Sequence, residues 1–260
     1  MAIRIIDDRD AIARFLGRSP SINLYLIGDL DDFFRPYTTW YALTDGDDIL
    51  SLALLYSGME TPTLLCFHDE EAESNITLLK GIIPKLPGRF YAHLSPGLSE
   101  CFSGSHNIEL LGRDDRMILR QNPPAVDDPS IRRLDRDDIA SLLKFYKAAY
   151  PGNWFDPRMI ETGKYFGYFI DKSLAGAAGI HVYSPEYSIA ALGNIATLPV
   201  FRGMKIAGKL TSVLCSDLLE TVELIGLNVR SDNHAAIRCY ENVGFEKEGS
   251  FEECLVTKNN

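Results

Sequence analysis

Residues 195–211 read IATLPVFRGMKIAGKLT, and the pattern of apolar residues differs on the two sides of Pro199. The residues before Pro199 are typical of a strand, and those from about Gly203 onward are apolar at helical spacing. A helix that begins after a tight turn leaves N–H groups unpaired and carries a partial positive charge there, so it attracts anions. Two glycines that admit a bulky ligand and three cations lie in this segment: Gly203, Gly208, Arg202, Lys205 and Lys209. The segment predicts an anion site; solvated cations on an ordinary strand-to-helix turn are the alternative.

One nucleotide-binding motif almost fits. Gly203, Gly208 and Lys209 have the spacing of a P-loop, G-x-x-x-x-G-K-[ST]. The motif needs a hydroxyl directly after the lysine to bind Mg²⁺, but Leu210 stands there and Thr211 comes one position late. On a helix that displacement turns the side chain by about a quarter turn. We therefore disfavour an ATP-binding function.

A second pair of motifs accounts for more residues. The segment RGMKIA at 202–207 resembles the [QR]-x-x-G-x-[GA] signature of the GNAT superfamily of N-acetyltransferases. Downstream, LNV at 227–229 and N-x-x-A-x-x-x-Y-x-x-x-G-F at 233–245 resemble the second signature of that superfamily. The two motifs follow each other in the family's order of strand, helix, strand and helix. The resemblance implies that residues 131–260 form an acetyltransferase domain that uses acetyl-coenzyme A as co-substrate, with no metal.

The resemblance also implies which residues contact the cofactor. Backbone amides at the helix start would hold the pyrophosphate, and strand 194–197 would pair with the pantetheine arm as another strand does. A bulge or a splay of that strand would free its amides, but the sequence does not show one. The expected cofactor contacts are Ile195, Ala196, Thr197, Arg202, Gly203, Met204, Lys205, Ile206, Ala207, Gly208, Lys209, Asn228, Asn233, Ala236 and Tyr240.

Lys205 departs from the family pattern, which usually has glycine at this position. Glycine permits the closest approach of a diphosphate to the backbone. A lysine must direct its side chain outward, where it can reach a phosphate itself. The departure puts the amide geometry at this position in doubt, but it leaves the helix start and Arg202 in place.

Tyr240 is the predicted catalytic residue, because its phenol can protonate the departing thiolate. The alternative is a core aromatic with a satisfied hydroxyl. Asn233 is either the N-cap of its helix, a cofactor contact, or both. Cys239 is interpreted as a packed residue, since no basic partner that would activate its thiol is evident.

The acceptor side of the reaction is less clear from the sequence. The loop at 150–157 contains two prolines, a glycine and the aromatics Trp154 and Phe155, which suggests an ordered wall over a pocket. A loop held to the core by Trp154 is the alternative. No acid lies within 190–197, and the nearby His181 is a candidate substrate contact. Glu186, Tyr183 and Tyr187 also lie nearby, and no general base is assigned.

A proline-rich boundary divides the chain. Residues 121–130 hold three prolines and two acids, which is typical of an extended linker. The segments at 3–10 and 131–138 both lead from a short β-like run into acids that can cap a helix. We therefore predict an α+β protein with two tandem domains, 1–120 and 131–260. Each is expected to be a GNAT-like mixed, mostly antiparallel sheet flanked by helices.

The predicted elements of the two halves follow the same order. Strands are expected near 38–43, 49–56, 63–67, 89–94 and 116–119 in the first half, with a helix near 74–85. In the second half, helices are expected at 137–150, 203–221 and 233–242, strands at 165–171, 175–183, 189–198 and 224–229, and a closing hairpin at 245–256. The first helix of the second half is expected to bury Ile139, Leu142, Leu143 and Tyr146.

The first half lacks the cofactor signature. Residues 68–73 read HDEEAE where glycines and cations would be required, and carboxylates there would repel a diphosphate. A GNAT-like copy in this half is expected to have lost cofactor binding and to serve as a scaffold or substrate wall. The acidic run at 29–32 is interpreted as the end of a helix, with an acidic rim of a cleft as the alternative.

Composition restricts the partners, metal sites and cellular compartments that fit this protein. The chain has 260 residues and a net charge of −10, which makes nucleic acids and anionic membranes unlikely partners. Five scattered cysteines without C-x-x-C spacing argue against a disulfide framework or a zinc site and favour a reducing compartment. No apolar run is long enough to span a bilayer. We expect a cytoplasmic enzyme that acts on a small-molecule or peptide amine, in an oligomeric state that the sequence does not indicate.

Overall fold

The chain forms two compact units, which do not follow its two halves strictly. A computed structural model describes residues 1–32, 34–68 and 72–259. Unit 1 comprises Met1–Arg116, Arg230–Asp232 and Glu248–Asn260, and unit 2 comprises Met117–Val229 and Asn233–Lys247. The last segment of the chain therefore groups with unit 1, although the sequence assigned it to the second domain.

Unit 1 is built on a mixed sheet. Its elements in chain order are β1 Ala2–Ile6, α1 Arg9–Leu16, α2 Leu24–Gly28, β2 Thr38–Asp45, β3 Asp48–Tyr56, β4 Thr63–Cys66, α3 Glu73–Ile82, β5 Arg89–Leu94 and β6 His106–Leu119. The pairs β1–β2, β2–β3 and β3–β4 are antiparallel, whereas β4 and β5 are parallel. The acidic loop residues Asp69, Glu70 and Glu71 lie outside the described residues.

Unit 2 repeats this order. Its elements are β7 Ile131–Arg133, α4 Ile139–Ala149, β8 Phe166–Ile170, β9 Ser173–Ser184, β10 Ile189–Thr197, α5 Ile206–Leu218, β11 Leu224–Arg230, α6 His234–Glu241 and the start of β12 Phe245–Lys258, whose residues from Glu248 onward group with unit 1. The pairs β7–β8, β8–β9 and β9–β10 are antiparallel, and β10 and β11 are parallel. The predicted α+β class, with a mostly antiparallel sheet flanked by helices, is confirmed.

Each unit buries its own apolar core against its sheet. In unit 2, α5 packs against β9 so closely that a Cβ added to Gly176 would lie 2.6 Å from Cγ2 of Ile206. In unit 1, α3 buries Leu78, Leu79 and Ile82. All five cysteines are free thiols. No helix within the described part of the chain has the length and apolar character needed to cross a membrane.

Several predicted elements differ from the structure. The strand expected at 116–119 begins ten residues earlier, at His106. The sequence did not indicate this first part of the strand, because its residues are mostly exposed and lack an alternating apolar pattern. The hairpin expected at 245–256 is one continuous strand, β12, whose residues 252–257 pair with β5. Helix α4 buries Leu142, Phe145, Tyr146 and Ala149, so the expected burial of Leu143, which is 47% exposed, is wrong.

Gly244 provides a test of the turn that ends α6. Its φ is +112°, and a Cβ at this position would lie 2.8 Å from the carbonyl oxygen of Gln121. We expect Gly244→Ala to lower the free energy of unfolding by about 1–3 kcal/mol, measured by urea denaturation. Gly249→Ala is the control, because an added Cβ there meets no atom within 4 Å. Equal effects of the two substitutions would contradict this account of the turn.

Candidate functional site

The sheet of unit 2 opens between β10 and β11, next to the segment 195–211 in which the sequence predicts an anion site. The parallel pairing of β10 with β11 starts at Ile189 and Leu224 and ends at Leu192 and Leu227. β10 nevertheless continues to Thr197, and among the described residues its last two, Ala196 and Thr197, pair with β9 and not with β11. A strand that continues after its parallel neighbour has diverged presents backbone groups to a ligand. The splay that the sequence did not show is therefore present.

A β-bulge lies in this part of β10. The register of β10 with β9 shifts between Gly193 and Ala196, and Asn194 has a left-handed φ of +55°. Asparagine tolerates that conformation better than most residues. The bulge re-aims the backbone next to the opening of the sheet.

Two buried tyrosines hold the bulge in place. The hydroxyl of Tyr146 donates to the carbonyl oxygen of Asn194 at 2.7 Å. The side-chain amide of Asn194 donates to the hydroxyl of Tyr165 at 3.0 Å and to the carbonyl oxygen of Trp154 at 3.2 Å. Burial raises the pKa of both tyrosines, so their hydroxyls remain protonated at neutral pH.

The helix after β10 begins without a capping side chain. α5 starts at Ile206, three residues later than predicted, because Gly203 and Lys205 have φ values of +84° and +59° and form a turn. Lys205 occupies the N-cap position, and none of the described side chains caps the helix. The left-handed backbone at position 205 explains why the sequence pattern expects glycine there. Lys205 adopts this backbone conformation, and its side chain is exposed.

Lys209 is engaged by the linker. Its Nζ lies 2.8 Å from Oδ2 of Asp128 and 5.6 Å from the centre of the Tyr168 ring. The hydrogen bond from Lys209 lowers the pKa of Asp128 to about 2, with a further contribution from the amide of Ser130. The ion pair is therefore formed at neutral pH. Among the described residues, Arg202 and Lys205 make no ion pair, so they are the available cations of the three.

The ATP-loop alternative, which the sequence disfavours, has no support in the geometry either. Leu210 is fully buried, and so is Thr211, whose hydroxyl donates to the carbonyl oxygen of Ala207 at 2.8 Å. Neither residue presents a hydroxyl for Mg²⁺. No three His, Cys, Asp or Glu side chains in the described part of the chain are grouped as metal ligands.

Helix α6 lies beside the start of α5. A Cβ added to Gly208 on α5 would come within 3.4 Å of Sγ of Cys239 on α6. Asn233 is the N-cap of α6, since its side chain accepts from the amide of Ala236 at 3.2 Å. Tyr240, at the end of α6, is half-buried, and its ring meets that of Phe245 edge-on at 6.1 Å. The two predicted signatures are thus brought together.

Two buried oxygens near the opening have no hydrogen-bond partner within the described structure. They are Oγ1 of Thr197, at the end of β10, and Oδ1 of Asn228, the first residue of β11 beyond its pairing with β10. Leaving a buried polar atom unpaired costs about 1–3 kcal/mol, so such atoms call for an explanation such as a ligand. Both residues belong to the predicted cofactor set.

The acceptor-side residues separate into two groups. Phe155 packs between the rings of Tyr146 and Tyr165, with ring centres 5.1 and 5.6 Å away, which is the position of a core residue. Trp154 is 37% exposed, and its ring meets that of His181 edge-on at 5.5 Å. The structure therefore places Trp154 and His181 together and places Phe155 in the packing behind them.

In the described part of unit 1, the corresponding strands do not separate. β4 has four residues, and all four pair with β5, from Thr63 with Tyr91 to Cys66 with Leu94. The equivalent strand of unit 2 continues for five residues beyond its parallel pairing. The shared topology of the two units therefore does not extend to the feature that exposes backbone for a ligand.

The sequence contained a signal for the bulge. Gly193-Asn194 lies inside the strand pattern, and a glycine in a strand often marks a bulge or a close backbone approach. The contributions of Tyr146, Tyr165 and Asp128 carried no comparable signal, because each acts on a residue at least 29 positions away.

Comparison with known proteins agrees with this geometry. Residues 131–245 match the Acetyltransferase (GNAT) family. No curated protein matches the sequence. The matched segment begins at β7 and ends at the first residue of β12, so it contains the opening, α5 and α6.

Solved structures extend the likeness to the whole chain. A GCN5-related N-acetyltransferase from Sphaerobacter thermophilus is 12% identical, with a TM-score of 0.65, over 100% of this chain and 96% of that one. A GNAT-family acetyltransferase from Colwellia psychrerythraea is 14% identical, with a TM-score of 0.62, over 99% and 100%. A tandem GNAT protein from the clavulanic acid biosynthesis pathway is 15% identical, with a TM-score of 0.59, over 99% and 98%. These likenesses concern the fold, and they confirm the predicted tandem arrangement.

Tyr146 tests how the bulge is held. Tyr146→Phe should lower the free energy of unfolding by about 1–3 kcal/mol, because it leaves the buried carbonyl of Asn194 without its donor. Urea denaturation measures the change. Tyr150→Phe is the matched control, since this side chain is 46% exposed and its loss should cost little. A Tyr146→Phe protein as stable as the control would contradict the anchoring role.

Proposed function

We propose that this protein moves an acetyl group from acetyl-coenzyme A to an amine, because residues 131–245 match the Acetyltransferase (GNAT) family. The acceptor is a small-molecule or peptide amine, and it attacks directly in a ternary complex of enzyme, acetyl-coenzyme A and amine. The observation that carries the proposal is the early end of the β10–β11 pairing, followed by the uncapped start of α5.

The residues at the opening fit the pantetheine arm of acetyl-coenzyme A. An extended arm with amide groups can pair with a strand edge as another strand would. Ile195, Ala196 and Thr197 lie on the part of β10 that has left β11. The unpartnered oxygens of Thr197 and Asn228 offer further acceptors for an amide, which supports this assignment.

The turn before α5 fits the pyrophosphate. The first amides of a helix are unpaired and point at an anion placed before it. Met204, Ile206, Ala207 and Gly208 would present such amides, and Gly203 lets the phosphates approach. Arg202 and the side chain of Lys205 would add positive charge, while Lys209 acts mainly through its ion pair with Asp128.

Acetyl-coenzyme A supplies the acetyl group as a thioester, and the amine replaces the sulfur at the acetyl carbon. Tyr240 is proposed to donate its phenolic proton to the departing sulfur. Its place on α6, which packs beside the start of α5, supports that role. Asn233 and Ala236 shape the same end of the site, with the Asn233 side chain already used as the N-cap.

Unit 1 is proposed to act as a scaffold without cofactor binding. Its β4 remains paired to its end, so it exposes no strand edge comparable to that of β10. Of the acidic residues predicted to repel a diphosphate, Glu73 is the first residue of α3, whereas Asp69, Glu70 and Glu71 lie outside the described residues.

Purified protein with acetyl-coenzyme A and a panel of amines tests the function. We expect free thiol to appear only when a suitable amine is present, and acetyl-coenzyme A to raise the melting temperature while ATP with Mg²⁺ does not. Binding of acetyl-coenzyme A without amine-dependent thiol release would indicate a non-catalytic acyl-coenzyme A sensor instead. Stabilisation by ATP alone would revive the nucleotide-binding interpretation.

Tyr240→Phe is the variant that assigns the acid in that assay. Its turnover should fall about 10²-fold or more, with acetyl-coenzyme A affinity nearly unchanged, because only the proton donor is lost. An equal loss of cofactor affinity would mean that the hydroxyl packs or binds rather than reacts.

A further inference from the structure

Two β-bulges face each other in unit 2, one on β9 and one on β10. Ile189 to Ala191 pair with Ser184 to Val182, and then His181 is passed over, so that Leu192 pairs with Ile180. Three residues later β10 has an extra residue of its own, and Ala196 pairs with Ala177. The two insertions cancel, and the register after the second bulge is the same as before the first. The irregular pairing is confined to a few residues, so it changes the local backbone there and leaves the register of the rest of the sheet unchanged.

The paired bulges bring His181 and Asn194 together. The ring of His181 lies over Gly193, where an added Cβ would come within 2.3 Å of its Cδ2. Only glycine fits beneath that ring. Trp154 also contacts the imidazole edge-on, with 5.5 Å between ring centres. His181 therefore packs against an aromatic ring and against the backbone of β10 at Gly193, directly before Asn194.

Each of these two residues has an unsatisfied polar atom. Nε2 of His181 and Oδ1 of Asn194 are buried and lack hydrogen-bond partners in the described structure. The orientation of the Asn194 amide is set, because its Nδ2 donates to the carbonyl of Trp154 and the hydroxyl of Tyr165. Its oxygen is therefore a fixed acceptor with nothing to accept. A buried acceptor of this kind destabilises the fold unless a ligand satisfies it.

We propose that His181 and Asn194 form the subsite for the nitrogen of the acceptor amine, with Asn194 Oδ1 accepting one N–H and His181 Nε2 removing the proton. This proposal rests on the proposed acetyltransferase function. The subsite precedes Ile195 on the same strand, and Ile195 is one of the residues assigned to the pantetheine arm. The ligand class is a primary amine that binds uncharged next to the indole ring of Trp154.

The protonation states around the subsite suit this role. Burial lowers the pKa of His181 to about 4, and the hydrogen bond that the protonated ring would donate to the Asn194 side chain raises it by a smaller amount, so the imidazole is neutral at pH 7. The neighbouring phenols of Tyr146 and Tyr165 stay protonated, since burial raises the pKa of each. Asp156, near Tyr165, is held ionised by its hydrogen bonds with Arg158. A neutral imidazole with an unpaired nitrogen is a proton acceptor.

The acetyl transfer forms one bond, breaks one bond and moves two protons. The lone pair of the neutral amine forms the C–N bond, and the electron pair of the C–S bond leaves on sulfur. The nitrogen becomes acidic as the C–N bond forms, so even a weakly basic imidazole can take its proton on Nε2. The sulfur takes a proton from the Tyr240 phenol. Solvent then carries the proton from His181 back to the Tyr240 phenolate, and both residues return to their initial state.

Three variants test the proposal in the thiol-release assay with the full chain. His181→Gln should lower kcat by about 10²-fold or more, while the Kd of acetyl-coenzyme A from calorimetry stays within about threefold. His181→Ala leaves a space the size of the ring, and added imidazole should restore part of its turnover in a saturable way. His234→Gln, at an exposed position on α6, is the control and should keep wild-type turnover.

A second measurement does not depend on turnover. The ¹⁵N signal of His181 Nε2 can be assigned, because it disappears in His181→Gln. At pH 7 its chemical shift should be that of an unprotonated imidazole nitrogen, and it should change when the acceptor amine is added. Wild-type-like turnover of His181→Gln, or a loss that imidazole does not restore, would overturn the proposal. Absence of amine-dependent thiol release in the wild type would instead overturn the proposed function. The two failures are distinguishable, because the second is observed with the wild-type protein and the first only with the His181 variants.

Discussion

The separation of two parallel strands is the constraint on which the rest of unit 2 depends. β10 and β11 pair up to Leu192 and Leu227, and beyond that point β10 continues without β11. The open edge needs partners for its backbone groups, since polar groups that leave water without a partner destabilise the fold. A ligand that pairs like a strand satisfies this need. At the proposed cofactor site, unit 2 therefore lacks strand-to-strand hydrogen bonds that unit 1 keeps along the whole of β4 with β5.

Keeping such an edge in one conformation requires support from elsewhere. Tyr146 and Tyr165 supply it from α4 and from the residue before β8, through hydrogen bonds to the backbone and the side chain of Asn194. A positive φ at a residue other than glycine costs free energy, and it persists only where the surroundings determine it. The same applies to Lys205 at the start of α5. Both strained residues border the proposed cofactor site, which is where such conformations are concentrated in proteins.

Much of this could be predicted from the sequence, for identifiable reasons. Strands β3, β5 and β10 were placed within a residue at each end, because their apolar residues lie in runs bounded by Gly, Pro or Asp. The helix start after β10 was found from local residues alone, although the left-handed Gly203 and Lys205 delay it to Ile206. The long β6 and β12 were missed because tertiary pairing, and not local pattern, extends them. The bulges, and the pairing of Lys209 with Asp128, depend on contacts between distant residues and could not be read locally.

The central claim is that the open edge of β10 and the first turn of α5 hold acetyl-coenzyme A. Backbone hydrogen exchange, followed by mass spectrometry with and without the cofactor, addresses these amides directly. Exchange should slow in peptides that cover residues 193–210 and remain unchanged in peptides that cover β4 of unit 1. Unchanged exchange at 193–210 with saturating acetyl-coenzyme A, or slowing that appears only in unit 1, would contradict the account.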